Sequence, residues 1–214
     1  MQSQKQFKRR FSFEFFPPKT DQGKEKLQNV RNQLAEVNPD FFSVTFGAGG
    51  STRDRTIETV LNLHSQGIST APHLSCVGGT RQEIGELLDL YREHGINRIV
   101  ALRGDMPSGM GAAGELRYAN ELVEFIREHS GDTFNLEVAA YPEFHPQARN
   151  AEEDLKNFAR KVQAGANSAI TQYFFNADSY FYFIDRLEKM GVTIPVVPGI
   201  MPIVNFSNLV RFSD

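Results

Sequence analysis

Apolar residues recur along this chain with two periods that take turns. Phe11, Phe13 and Phe15 alternate with Ser12 and Glu14 at the period of a strand, and Pro17-Pro18 cannot continue that ladder. Leu27, Val30 and Leu34 then share a helical face, Asn38-Pro39-Asp40 closes the helix, and 41–46 reads as a second strand. The beat repeats. Ile57, Val60 and Leu61 mark a helix that Gly67 ends, followed by a strand over 70–76. Thr80 with Glu83 three residues on is a capping-box signature for a helix through Ile84, Leu87, Leu88 and Tyr91, with Gly95 just beyond it and a strand over 98–102. Ala119, Leu122, Val123 and Ile126 predict a fourth helix, 136–141 a fifth strand, and Leu155, Phe158 and Val162 a fifth helix before Gly165. A strand over 168–175, a helical stripe through Tyr180, Phe183, Ile184 and Leu187, the stop Gly191 and a seventh strand from Ile194 complete the pattern.

Strict alternation of strands and helices predicts parallel strands joined by right-handed crossovers, in a doubly wound sheet or a TIM barrel. The segment 205–214 reads as one more capped helix of about two turns. A (β/α)8 barrel would then be truncated after strand seven and the start of the following helix, a single domain over 1–214 whose eighth strand is missing. A doubly wound sheet is open by nature and needs no eighth strand. The polar residues favour the barrel. Glu14, Thr45, His73, Arg103-Gly104-Asp105, Tyr141 to His145, and Gln172 fall at or just after successive strands, and a barrel gathers all of these at one face.

Composition narrows the partners. A chain of 214 residues with 40% hydrophobic and 23% charged residues can bury a sizeable core, and a net charge of -3 gives no electrostatic reason to expect nucleic acid or an anionic membrane. Cys76 is the only cysteine, which excludes an intrachain disulfide. No apolar run approaches membrane length and no secretory core follows Lys8-Arg9-Arg10, so a cytoplasmic address is expected.

Candidate chemistry centres on Glu14, the one charge in its aromatic run. Held among phenylalanines, its carboxyl would lose hydration and become a proton donor near neutral pH. The other reading is a strand-end glutamate that reaches solvent or pairs with an arginine. Gly109-Met110-Gly111-Ala112-Ala113-Gly114 fits the dinucleotide fingerprint by letter, but it starts several residues after its strand and reads as a loop. His73 and His145 lack the spacing of a metal pair, so no metal is expected. Asp154, Asn157 and Lys161 form a polar helical stripe that spacing alone leaves as a solvated face.

Six ordered segments carry a resemblance: Phe13-Glu14-Phe15-Phe16-Pro17-Pro18, Ser43-Val44-Thr45-Phe46-Gly47-Ala48, Ala71-Pro72-His73-Leu74, Ala101-Leu102-Arg103-Gly104-Asp105, Ala140-Tyr141-Pro142-Glu143 with His145-Pro146, and Thr171-Gln172. Together they resemble methylenetetrahydrofolate reductases of the bacterial, single-domain type. The resemblance implies an FAD-dependent barrel that uses NADH or NADPH to reduce 5,10-methylenetetrahydrofolate to 5-methyltetrahydrofolate, feeding methionine synthesis, with both substrates taking turns on the flavin. It implies that Glu14 is the general acid and that Asp105 is a second catalytic carboxylate. It further implies cofactor contacts at Phe46, Ala48, His73, Arg103, Gly104, Asp105, Tyr118, Ala119, Tyr141, His145 and Ala148, and at Asp154, Asn157, Arg160 and Lys161. Thr45, Asp105, Gln172 and Asn208 would meet the substrates. A homo-oligomer is expected. A different class remains open beside it, a catalytically inactive flavin-binding fragment that self-associates through open strand edges.

Overall fold

The computed structural model of the chain describes residues 1–46, 52–104 and 114–213, and their side chains except those of 208 and 211–213. The strand-period segments fold as β1 (Ser12–Phe15), β2 (Phe41–Val44), β3 (Thr70–Ser75), β4 (Arg98–Leu102), β5 (Asn135–Ala140), β6 (Ser168–Thr171) and β7 (Val196–Val197). Between and after them run α1 (Asp21–Ala35), α2 (Arg53–Ser65), α3 (Arg81–Glu93), α4 (Ala119–Ser130), α5 (Ala151–Gln163), α6 (Ala177–Lys189) and α7 (Phe206–Ser213). Local signals set several boundaries. Thr80 and Glu83 form the predicted reciprocal capping box at the start of α3, and Gly95 takes the left-handed conformation (φ 77°) that lets the chain turn away after it. Strand six is shorter than the predicted 168–175: after Thr171 the Gln172 side chain accepts from the Tyr173 N–H at 3.0 Å, a local bond that competes with the ladder.

All neighbouring strands are parallel and the sheet order is β1-β2-β3-β4-β5-β6-β7. This order decides between the two architectures. A doubly wound sheet reverses its strand order at a switch point, whereas right-handed crossovers that always step the same way put every helix on one face and curl the sheet around the other. The architecture is therefore that of a TIM barrel, with β1 and β7 as the edges of the seven strands. The outer edge of β7 is held by the N-terminal segment. Pro195 accepts from Ala169 of β6, so residues 194 and 196 face away from that strand, and the Gln4 carboxamide accepts from the Val196 N–H (2.9 Å) and donates to the Ile194 carbonyl (3.1 Å). One side chain thus makes the pair of bonds that the peptide of another strand would make.

Alternate strand positions divide between two faces. Leu74, Ile99, Ala101, Leu136, Val138, Ala169 and Val196 point outward into the main core, against Val60, Leu63, Leu87, Leu88, Leu122, Ile126, Phe158, Ile184 and Leu187 of the helices. Phe41, Ala71 and Val100 point inward, with Leu102 and Ile170 beside them. The inner face also holds charge. Arg98 donates to Glu137 at 2.5 Å and to Asn135 at 3.0 Å, and its guanidinium lies 4.6 Å from the centre of the Phe41 ring. The first helix departs from its pattern. Although Leu27, Val30 and Leu34 share a face, α1 has no buried residue, and Val30 is 36% exposed.

Candidate active site

Glu14 lies in β1, and its surroundings differ from those expected of it. Because side chains alternate along a strand, Phe13 and Phe15 point away from Glu14 and stack instead on Phe42, with ring centroids at 6.0 and 5.3 Å. The neighbours on its own face are Ser43, its register partner, and His73 of β3, whose Nε2 lies 3.4 Å from Glu14 Oε2. Burial pushes the Glu14 carboxyl up from its ordinary value, although half of the side chain remains open to solvent. The shift has the expected direction; the barrel interior, and not the flanking phenylalanines, supplies it. His73 is itself buried, which holds its imidazole down at about 4 and therefore neutral at physiological pH.

The ends of the middle strands are fixed from behind. The Thr56 hydroxyl of α2 donates to the Thr45 carbonyl at 2.8 Å, which anchors the half-buried stretch Thr45-Phe46. After β4, Ser75 Oγ donates to the Arg103 carbonyl at 2.8 Å and accepts from the Val77 N–H at 3.2 Å. Gly104 follows at φ 82°, and a Cβ there would fall 2.0 Å from Ser75 Oγ, so this turn excludes a side chain by both conformation and space. Arg103 reaches across to Gln147 at 2.6 Å. Ser75 and Gln147 carry no motif, and the glycine after the strand is the one sequence signal from which this close approach could be read.

Beyond β5 the loop folds back on α5. The ring of Tyr141 meets His145 edge-on at 4.5 Å, Ala148 donates to the His145 carbonyl at 2.9 Å, and the His145 N–H donates to Asp154 Oδ2 at 2.9 Å. Asn157 accepts from Arg160 at 2.7 Å. Lys161 is not on a solvated face: its Nζ donates to the Ala139 carbonyl of β5, and burial lowers its pKa to about 8 against the opposing pull of Asp154. Tyr118, 57% exposed, is the N-cap of α4, and Ala119 opens that helix. Gln172 is exposed just past β6, with its N–H on the Ala140 carbonyl. Ala48, Asp105 and residues 109–113 of the glycine-rich stretch lie outside the described residues, as does the side chain of Asn208.

Most of these residues lie at or just beyond the C-terminal ends of successive strands, whereas Arg160 and Lys161 stand in the last turn of α5, and three of the set are cations. Among the described residues Arg103, Arg160 and Lys161 bond to amide or carbonyl oxygens and form no ion pair with a carboxylate. A methylenetetrahydrofolate reductase family profile matches residues 1–214. The chain belongs to the methylenetetrahydrofolate reductase family. It is 45% identical over 204 residues to the 5,10-methylenetetrahydrofolate reductase of Salmonella typhimurium, covering 95% of this chain and 68% of that protein. The Escherichia coli enzyme of the same name is 44% identical over the same shares. Membership makes the chain an oxidoreductase of methylenetetrahydrofolate. Among solved structures, a Clostridium thermocellum protein described as binding two copies of 5-methyl-5,6,7,8-tetrahydrofolic acid superposes with a TM-score of 0.67 at 15% identity, over 99% of this chain and 72% of that one. That likeness supports the fold of the reductase family member.

Proposed function

We propose that the chain reduces 5,10-methylenetetrahydrofolate to 5-methyltetrahydrofolate by a two-step exchange in which NADH or NADPH first reduces a bound FAD and leaves, and the folate then takes its place. The observation that carries this reading is Glu14: a carboxyl whose pKa burial raises, at a strand end of the barrel, with a neutral imidazole as its neighbour. Such a carboxyl retains a proton where an ordinary glutamate has lost it. Glu14 delivers that proton to the folate nitrogen that leaves as the methylene bridge opens. Thr45 and Gln172, and with them Asp105 and Asn208, contact the substrates in this reading.

The residues present fit a flavin dinucleotide. Arg103, Arg160 and Lys161 offer positive charge without a carboxylate partner among the described residues, which suits a diphosphate. Lys161 is the clearest case, because a desolvated ammonium regains charge stabilisation when an anion reaches it. Phe46, Ala48, His73, Gly104, Tyr118, Ala119, Tyr141, His145, Ala148, Asp154 and Asn157 complete its surroundings. When bound, FAD supplies the redox chemistry, and the protein supplies placement and the proton.

Anaerobic spectroscopy tests the reading. The purified chain, supplied with FAD, should show a flavin spectrum that bleaches with NADH and recovers with methylenetetrahydrofolate. Glu14→Gln should keep the bleaching and slow the recovery by about 10²–10⁴-fold, the usual contribution of a positioned proton donor. A chain that takes up FAD and bleaches, but is never reoxidised by the folate, would remove the proposed substrate step. A chain that takes up no FAD would remove the cofactor reading.

A further inference from the structure

Among the described residues the groups on the inner face of the strands that can carry charge are Glu14 on β1, His73 on β3, Arg98 on β4 and Glu137 on β5. Arg98 and Glu137 pair with one another through Glu137 Oε1. Glu14 and His73 meet across β2, whose small Ser43 leaves room between them. The remaining inner positions near them, Ser43 on β2, Ala71 on β3, and Val100 and Leu102 on β4, are uncharged. His73 Nε2 is buried and makes no hydrogen bond of good geometry, yet the atom that faces it is a carboxyl oxygen at 3.4 Å. Leaving a buried polar atom unpaired is unfavourable, so a small approach of the two side chains is favoured.

We propose that His73 is a positioning residue for Glu14, whose carboxylic acid O–H donates to the neutral imidazole at Nε2 and is thereby aimed and retained until the substrate takes the proton. The opposite arrangement, an imidazolium beside a carboxylate, would put two charges into a buried site. Burial works against both of them, lowering the imidazole's pKa and raising the carboxyl's. No neighbouring charge contributes to the Glu14 shift, so the Arg98–Glu137 pair does not set it. The inference rests on Glu14 as the proton donor of the proposed reaction.

The test is a carbon-13 NMR titration of the glutamate δ-carbons in the full chain, with the Glu14 signal assigned by its loss in Glu14→Gln. The hydrogen bond stabilises the protonated acid, so His73→Leu should increase the acid dissociation constant of Glu14 about tenfold. His73→Gln, whose carboxamide oxygen can reach the place of Nε2, should restore most of the original value. If burial alone mattered, the more apolar leucine would leave the midpoint where it is or raise it, and that result would overturn the proposal. Equal midpoints for the leucine and glutamine variants would do the same. Should His73→Leu fail to fold, as circular dichroism would reveal, His73→Asn replaces it: its shorter amide cannot reach, and it must separate from His73→Gln in the same direction. The pH profile of the folate-driven step should move with the titration. A shifted titration beside an unmoved profile would leave the pair standing and remove Glu14 as donor.

Discussion

Two acid–base pairs share the inner face of this sheet, and they are built for different ends. The β4–β5 pair is closed: Arg98 and Glu137 meet at 2.5 Å, with side chains 16% and 5% exposed. The β1–β3 pair is looser, at 3.4 Å, with a buried histidine and a carboxyl that is 51% exposed. Burial raises both carboxyls, but at Glu137 the guanidinium opposes the rise, whereas at Glu14 nothing does. The same loss of hydration is therefore answered by a permanent cation in one pair, and left unopposed beside a neutral imidazole in the other. What distinguishes the two glutamates is the partner that the sheet brings to each.

Removing the permanent cation is the strongest way to break that contrast. Arg98→Met leaves Glu137 buried and uncompensated, and should cost about 3–5 kcal/mol in chemical denaturation. Pairing it with Glu137→Leu should recover most of the loss. If the single variant is as stable as the parent, the pair carries no structural weight.

Acid should act on the other pair. The unfolded His73 titrates near 6.5 and the folded one near 4, so between these values the unfolded state binds more protons. Stability from this group is fully present above pH 6.5 and is lost as pH falls towards 4, by about 3 kcal/mol from a shift of that size. His73→Gln should flatten that part of the stability–pH curve, and denaturant melts at pH 4, 5 and 7 would show it. An unchanged slope would mean that His73 does not stay neutral when folded.

A smaller effect separates contact from mere proximity in the β4–β5 pair. Ser168 is the register partner of Glu137 and its hydroxyl is near enough to help hold the carboxyl's pKa down, yet neither that buried hydroxyl nor Glu137 Oε2 makes a hydrogen bond of good geometry. Ser168→Ala should therefore change stability by no more than about 0.5 kcal/mol. A loss well above this would show that the hydroxyl supports the carboxylate, and would make the pair a three-member network.

Much of the fold was legible because its signals are local. The capping box at Thr80 and Glu83 and the turn at Gly95 depend on neighbours within a few residues, and the structure repeats them. The strand signals of 98–102 coincide with β4 for the same reason. Legibility failed where burial had to be known. Leu27, Val30 and Leu34 form a stripe that looks like a core face, but α1 buries none of its residues, since periodicity states which side is apolar and not what covers it. Lys161 failed in the opposite sense: its polar stripe spells a solvated face, while its ammonium is bound to the Ala139 carbonyl and desolvated.

The sequence by itself determined the alternation of elements, their caps and stops, and the six segments by which the family can be recognised, because each is written in residues close along the chain. Only the tertiary structure decided the sheet order that makes a barrel, the edge of β7 held by Gln4, the Ser75 that Gly104 must approach, and the partner of each buried glutamate. These contacts join residues from 29 positions apart (Ser75 and Gly104) to 192 apart (Gln4 and Val196). A linear pattern carries no such distances; they follow from register and from the tilt of one strand against the next.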